Sequence, residues 1–188
     1  MQIEPTAIAD VKIITPRRFG DNRGWFTESF NAARMDEAGF SYNWVQDNHS
    51  YSATKGTLRG LHYQAPPFAQ AKLVRVTAGS VLDVAVDIRV GSPSYLQWVA
   101  VELSAENGRQ LLIPKGFLHG FITLVEDSEM QYKVDAPYSG EADGSVRFDD
   151  AEIGVDWGLD MAEAVLSDKD REAPELNEIE NPFVYEGM

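Results

Sequence analysis

A few polar side chains fall where apolar ones are expected, and they carry the chemistry of this chain. Read with the two-residue period of a strand, Lys72 shares a face with Val74 and Val76, Tyr132 with Met130 and Val134, and His119 with Phe117 and Phe121. His62 falls on the side of Leu58 and Gly60. Any one of them could be a packing aromatic, a satisfied core histidine or a lysine that snorkels. Four together are costly to bury unless paired or hydrated, so they mark a lined pocket. A lysine, a tyrosine and two histidines are suited to proton transfer and to stabilising a developing anion. A metal centre on a β-barrel usually draws two histidines from one strand at i and i+2. Here His49, His62 and His119 stand singly and no His-x-His occurs, so no metal is expected. The absence of cysteine removes disulfides, thiolate ligands and a cysteine nucleophile.

The elements that must position these groups read as strands. Turn signals recur at Gly20-Asp-Asn22, Pro66-Pro67, Ala78-Gly-Ser80, Gly91-Ser-Pro93, Asn107-Gly108, Pro114-Lys-Gly116 and Ser139-Gly140. Residues 82–89 alternate strictly, with Leu82, Val84, Val86 and Ile88 on one face. Further strands are expected at 25–29, 58–64, 71–77, 96–103, 110–113, 117–124 and 129–135. One helix is expected over 31–38, capped by Asn31 and stopped by Gly39. Many short strands with little helix predict an all-β fold, a jelly-roll sandwich or barrel, with loops and short helices from about residue 150 onward. No internal repeat or low-complexity linker interrupts the 188 residues, so one domain is expected over 1–188.

A composition of 44% hydrophobic and 24% charged residues is that of an ordinary soluble domain. No run approaches the roughly 20 apolar residues of a membrane span, and the first ten residues lack the basic start of a signal peptide. A cytoplasmic protein without a membrane partner is therefore expected. The formal charge of −14 argues against a nucleic-acid partner. Half of the 30 acidic residues lie after residue 138, against three of the 16 basic ones. The earlier part, with Arg23, Arg59, Lys72 and Arg75, is close to neutral and remains open to a small anionic ligand such as a nucleotide.

Seven segments, in order, carry a resemblance. They are Gly20-Asp-Asn-Arg-Gly-Trp-Phe26 with Glu28, Gln46-Asp-Asn-His-Ser50, Leu58-Arg-Gly-Leu-His-Tyr-Gln64, Lys72-Leu-Val-Arg75, Asp83-Val-Ala-Val-Asp-Ile-Arg89, Ile113-Pro-Lys-Gly-Phe-Leu-His-Gly-Phe121 and Leu166-Ser-Asp-Lys-Asp170. The chain resembles the dTDP-4-dehydrorhamnose 3,5-epimerase family from about residue 10 to 175. The resemblance implies a cupin-like jelly roll, a homodimer, no cofactor and a dTDP-4-keto-6-deoxy sugar as substrate. It assigns His62 as base, Asp170 as the group that orients it, Tyr132 as acid and Lys72 as the charge near the enolate oxygen. It assigns Arg23, Arg59 and His119 to the diphosphate region and Glu28, Gln46, Asp47 and Asn48 to the nucleoside. Lys169 and Asp143 would lie near the ligand, and Tyr138 would stack on the base.

Other functions compatible with these residues are a metal-dependent cupin enzyme, a sugar-nucleotide-binding barrel without catalysis, and an epimerase acting at C3 or C5 alone. Binding alone would not require His62, Tyr132 and Asp170 together. Filled positions throughout the resemblance favour inversion at both carbons.

Overall fold

The computed structural model describes residues 1–187. Its strands are β1 (Gln2–Pro5), β2 (Lys12–Thr15), β3 (Arg18–Asp21), β4 (Gly24–Thr27), β5 (Gln46–Ser52), β6 (Leu58–Gln64), β7 (Lys72–Ala78), β8 (Ser80–Asp87), β9 (Trp98–Ser104), β10 (Gln110–Ile113), β11 (Phe117–Thr123), β12 (Ser128–Val134) and β13 (Asp143–Ser145). They form a six-stranded sheet in the order β1-β2-β10-β7-β12-β5, a five-stranded sheet in the order β13-β6-β11-β8-β9, and a β3-β4 hairpin. Every strand pair is antiparallel. This is the expected cupin-like jelly roll.

The eight strands expected from the sequence are all present, within two residues at most ends. The expected helix is α1 (Ala32–Glu37), where the Asn31 side chain accepts a hydrogen bond from the Arg34 amide and Gly39 leaves the helix at φ +87°. Strands β1, β2, β3, β5 and β13 carry no alternation long enough to announce them. β5, Gln-Asp-Asn-His-Ser-Tyr-Ser, has no aliphatic residue at all and exists because its backbone pairs with β12 from Ser52↔Ser128 to Gln46↔Val134. Among the described residues after 150 the helical elements are a 3-10 turn at Met161–Glu163, α2 (Asp168–Arg171) and a 3-10 turn at Leu176–Glu178.

Three apolar clusters hold these layers. The inner one lies between the sheets and includes Val74, Val76, Val81, Ala85, Val101, Leu111, Phe117, Phe121 and Met130. A second covers the outer face of the five-stranded sheet, where Leu58, Leu61, Val84, Val86, Ile88, Leu118 and Ile122 meet Val146, Ile153, Trp157, Leu176 and Phe183 of the later chain. The alternating stripe Leu82, Val84, Val86 and Ile88 therefore faces outward, beneath the acidic last third, and leaves Asp83 facing in with Val81 and Ala85. The third cluster packs Met35 of α1, with Phe30, Phe40, Tyr42 and Trp44, on Leu73, Leu112 and Ile14 of the other sheet. Fully burying each such side chain contributes about 1.5 to 3 kcal/mol, so the segment that closes the second cluster is part of the fold and not an appendage.

Candidate active site

Beside the inner cluster the polar groups gather around a cavity, which Phe121 of that cluster reaches. The cavity, of about 310 Å³, is lined from the five-stranded sheet by Arg59, His62, His119 and Phe121, from the six-stranded sheet by Ser50, Lys72 and Tyr132, and from the α2 segment by Ser167, Lys169 and Asp170. His62 and Tyr132 thus belong to opposite sheets and face one space.

A break in register puts His62 there. β11 pairs with β6 as His119↔His62 and then as Phe121↔Arg59, so three steps on β6 match two on β11. The bulge sends both Arg59 and His62 into the cavity while Leu58 and Leu61 join the outer cluster. This corrects the period-two expectation that His62 shares a face with Leu58. At its apex Gly60 has φ +130°, and a β-carbon there would sit 2.6 Å from the Gly120 Cα and 2.9 Å from the His119 carbonyl oxygen. Only glycine lets the two strands cross this closely.

His62 is held by a carboxylate 108 positions later. Its Nε2 lies 2.6 Å from Asp170 Oδ1. Asp170 is 3% exposed and sits in α2, whose N-cap Ser167 accepts from the Asp170 amide at 3.1 Å and donates to Asp170 Oδ2 at 2.7 Å. The Gly60 amide also donates to Oδ1, at 3.4 Å. Burial pushes this carboxyl upward, but hydrogen bonds from His62, Ser167 and Gly60 outweigh it and hold the group below the ordinary carboxylate range. As an anion it accepts the proton carried on Nε2 and leaves Nδ1 with the free lone pair.

Opposite, burial raises the Tyr132 phenol above its ordinary value, against the pull of Arg59 and with help from Asp143, so the hydroxyl keeps its proton. Burial lowers the Lys72 amine to about 8, while Asp83 and Asp143 support its charge and Lys169 opposes it. Lys72 therefore remains largely cationic at neutral pH beside the cavity.

Other expected residues connect to Lys169 of the cavity through a chain of polar contacts. On the inward face of β5, Gln46 donates to Asn48 Oδ1 at 2.8 Å and accepts from the Tyr138 amide at 3.0 Å. Tyr138 is 62% exposed, and its hydroxyl reaches Asp143 at 3.4 Å. Asp143 is in turn ion-paired with Lys169. Asp47 lies apart from these contacts, with its side chain ion-paired with Lys133 at 2.9 Å. Arg23 and Glu28 are not brought to this chain's own cavity either. Arg23 sits 84% exposed at the hairpin tip against Asp21, and Glu28 pairs with Arg34 at 3.0 Å.

Sequence reading gave no role to Asp83, Ser167, Ser50 or Phe121. Ser167 carried a signal, because Ser-x-x-acid before a short helix is a capping pattern. Asp83 carried another, an acid alternating with Val81 and Ala85, but that face reads as solvent-exposed when Leu82 and Val84 are taken as the core. Among the described residues no group of three or more His, Asp or Glu side chains is placed to hold a metal ion. The available ring nitrogens instead meet carboxylates one to one.

A family model described as dTDP-4-dehydrorhamnose 3,5-epimerase matches residues 5–178. The chain is 51% identical over 185 residues to the dTDP-4-dehydrorhamnose 3,5-epimerase of Sinorhizobium fredii, covering 98% of this chain and 94% of that one. It is 50% identical over 179 residues to the enzyme of that name from Salmonella typhimurium, covering 95% and 97%. The fold superposes with a TM-score of 0.94, at 47% identity and 99% coverage of both chains, on the dTDP-6-deoxy-D-glucose-3,5-epimerase of Legionella pneumophila solved in complex with dTDP-4-keto-L-rhamnose. With a histidine and a tyrosine facing one cavity from opposite sheets and this likeness over nearly all its length, the chain belongs to the dTDP-4-dehydrorhamnose 3,5-epimerase family.

Proposed function

We propose that this chain epimerises dTDP-4-dehydro-6-deoxy-D-glucose at C3 and C5 to dTDP-4-dehydro-L-rhamnose. The observation that carries the mechanism is the placement of the His62–Asp170 pair and Tyr132 on opposite sheets around one cavity. A hexose ring bound between the sheets has one face toward each. The C4 ketone acidifies the hydrogens at C3 and C5, so inversion needs a base on one face and an acid on the other, with no change of oxidation state.

In each inversion His62 Nδ1 takes the proton, and the C–H electron pair moves into a C–C double bond as the ketone oxygen becomes an enolate. Lys72 faces the charge that grows on that oxygen, and it stabilises the transition state more than the neutral ketone. The electron pair then returns to carbon as Tyr132 delivers its proton to the opposite face. Solvent reprotonates the phenolate, and His62 releases its proton to water. Asp170 stays ionised throughout and orients the imidazole.

Tyr132→Phe keeps the ring and removes only the acid. In heavy water it should still exchange the proton on the His62 side while inversion at C5 falls by about 10²-fold or more. The check is deuterium content and configuration at C3 and C5 by NMR. Full inversion in Tyr132→Phe would remove Tyr132 from the mechanism, and wild-type deuterium at one carbon alone would restrict the reaction to that carbon.

The assembly belongs to the same proposal. The β3-β4 hairpin exposes Phe19, Trp25 and Phe26 at 51%, 59% and 69%, and it presents Arg23 away from its own cavity. Such an apolar projection fits a second copy of this chain, with Arg23 and Glu28 completing the partner's nucleotide site. Dilution to monomer should then weaken substrate binding, whereas a fully active monomer in sedimentation would refute the shared site. No described helix is long and apolar enough to cross a membrane. We place the enzyme in the cytoplasm, where a charged nucleotide sugar is retained.

A further inference from the structure

Asp83 is a fully buried carboxylate that the proton-transfer mechanism does not use. Its side chain has one partner, His119, whose Nε2 lies 3.1 Å and 3.0 Å from the two carboxylate oxygens. β8 and β11 fix this contact, with Phe121 opposite Asp83 and His119 opposite Ala85, so the two side chains meet diagonally on the inner face. His119 is itself 6% exposed, yet it lines the cavity. Both of its hydrogen bonds run through Nε2, and among the described residues no buried side-chain nitrogen or oxygen lacks a partner. The ring's other nitrogen, Nδ1, therefore opens to the cavity.

We infer that Asp83 is a positioning residue that locks His119 as the Nε2–H tautomer, so that Nδ1 faces the substrate as an acceptor and selects a sugar carrying a hydroxyl at C2 or C3. A carboxylate can only accept, so the hydrogen between the two groups resides on Nε2. Burial holds His119 below the ordinary imidazole range, and the neighbouring charges of Lys72 and His62 act in the same direction against Asp83, which keeps the ring neutral. A neutral ring with Nε2 protonated has a lone pair on Nδ1. That lone pair cannot serve a phosphate oxygen, which also only accepts, so the geometry gives His119 to the sugar and not to the diphosphate. The hydroxyl is then read because its absence leaves this acceptor on a buried ring unpaired.

This rests on the epimerase reading for its substrate, and its two tests separate from that reading. The chain has three histidines, so the ring nitrogens of wild-type protein labelled with ¹⁵N can be assigned by long-range ¹H–¹⁵N spectra. His119 should be the neutral Nε2–H form, and an Nδ1–H or doubly protonated ring would overturn the proposal whether or not the enzyme turns over. Kinetically, the 2-deoxy and 3-deoxy analogues of dTDP-4-keto-6-deoxyglucose keep the ketone and the C5 hydrogen. For one of them, wild-type kcat/KM for deuterium uptake at C5 should fall by about 10- to 100-fold relative to the parent sugar. In Asp83→Leu, which removes the acceptor at the cost of a larger apolar side chain, that ratio should collapse to within a few-fold. A merely structural defect, or a weakened Lys72 charge, would slow both sugars alike and leave the ratio intact. An unchanged ratio in folded Asp83→Leu, or no discrimination in the wild type, would sink the assignment. Absence of any exchange with the parent sugar would instead fail the epimerase reading and leave the tautomer result standing.

Discussion

His62→Ala should abolish deuterium uptake at both C3 and C5 of dTDP-4-keto-6-deoxyglucose in heavy water, a fall of about 10²- to 10⁴-fold or greater. The magnitude follows from the geometry. Among the groups lining the cavity, His62 is only part-buried and has its ring fixed by a carboxylate, at 2.6 Å on Nε2, which leaves the other nitrogen free to take a proton. Its counterpart across the bulge, His119, is buried against Asp83 with a depressed pKa and is a poor base. Tyr132 keeps its proton, and Lys72, near 8, is largely charged at neutral pH, so neither substitutes. Asp170→Asn should lose less than His62→Ala, because the imidazole stays in place with its tautomer and basicity disturbed. Its effect should lie mainly in kcat. The decisive measurement is single-site exchange by NMR: normal exchange in His62→Ala would remove the base from the mechanism, however well the rest of the site is arranged.

Gly60→Ala should destabilise the fold by about 2 to 6 kcal/mol, combining a strained backbone with overpacking against a neighbour that cannot move away. The added methyl would meet backbone, the Gly120 Cα at 2.6 Å and the His119 carbonyl at 2.9 Å, and not the end of a flexible side chain. Relief would require parting β6 from β11, which pair through the centre of the five-stranded sheet. A loss of this size is a large share of the roughly 5 to 15 kcal/mol that holds a typical domain. Urea titration should show it as a lowered midpoint. Any folded fraction should also lose exchange activity, because Gly60 lies two residues from His62 and its amide donates to Asp170. An unchanged midpoint would mean that the strands part easily and that the bulge is not what sets His62.

Local pattern determined a good deal about this protein. Strand-length runs between turn signals located eight strands, with the two-residue period strict over residues 82–89, and Asn31 with Gly39 marked α1 because caps act on their own turn. The inward direction of Lys72, Tyr132 and His119 followed from the same period, since each lies in a strand whose register is regular at that point. Polar β5 was invisible because its order comes from β12 and not from its side chains. The partnership of His62 with Asp170 spans 108 positions and took its assignment from resemblance, since no local rule joins the two. Only the tertiary structure decided three matters. The bulge at Gly60 turned Arg59 and His62 to one face, because a shift of register is a property of two paired strands. The last third of the chain covered the outside of the five-stranded sheet, and so reversed which face of β8 reads as exposed and buried Asp83 beneath His119. The hairpin held Arg23 away from the cavity of its own chain, since no residue in a short two-stranded ribbon records where the ribbon points.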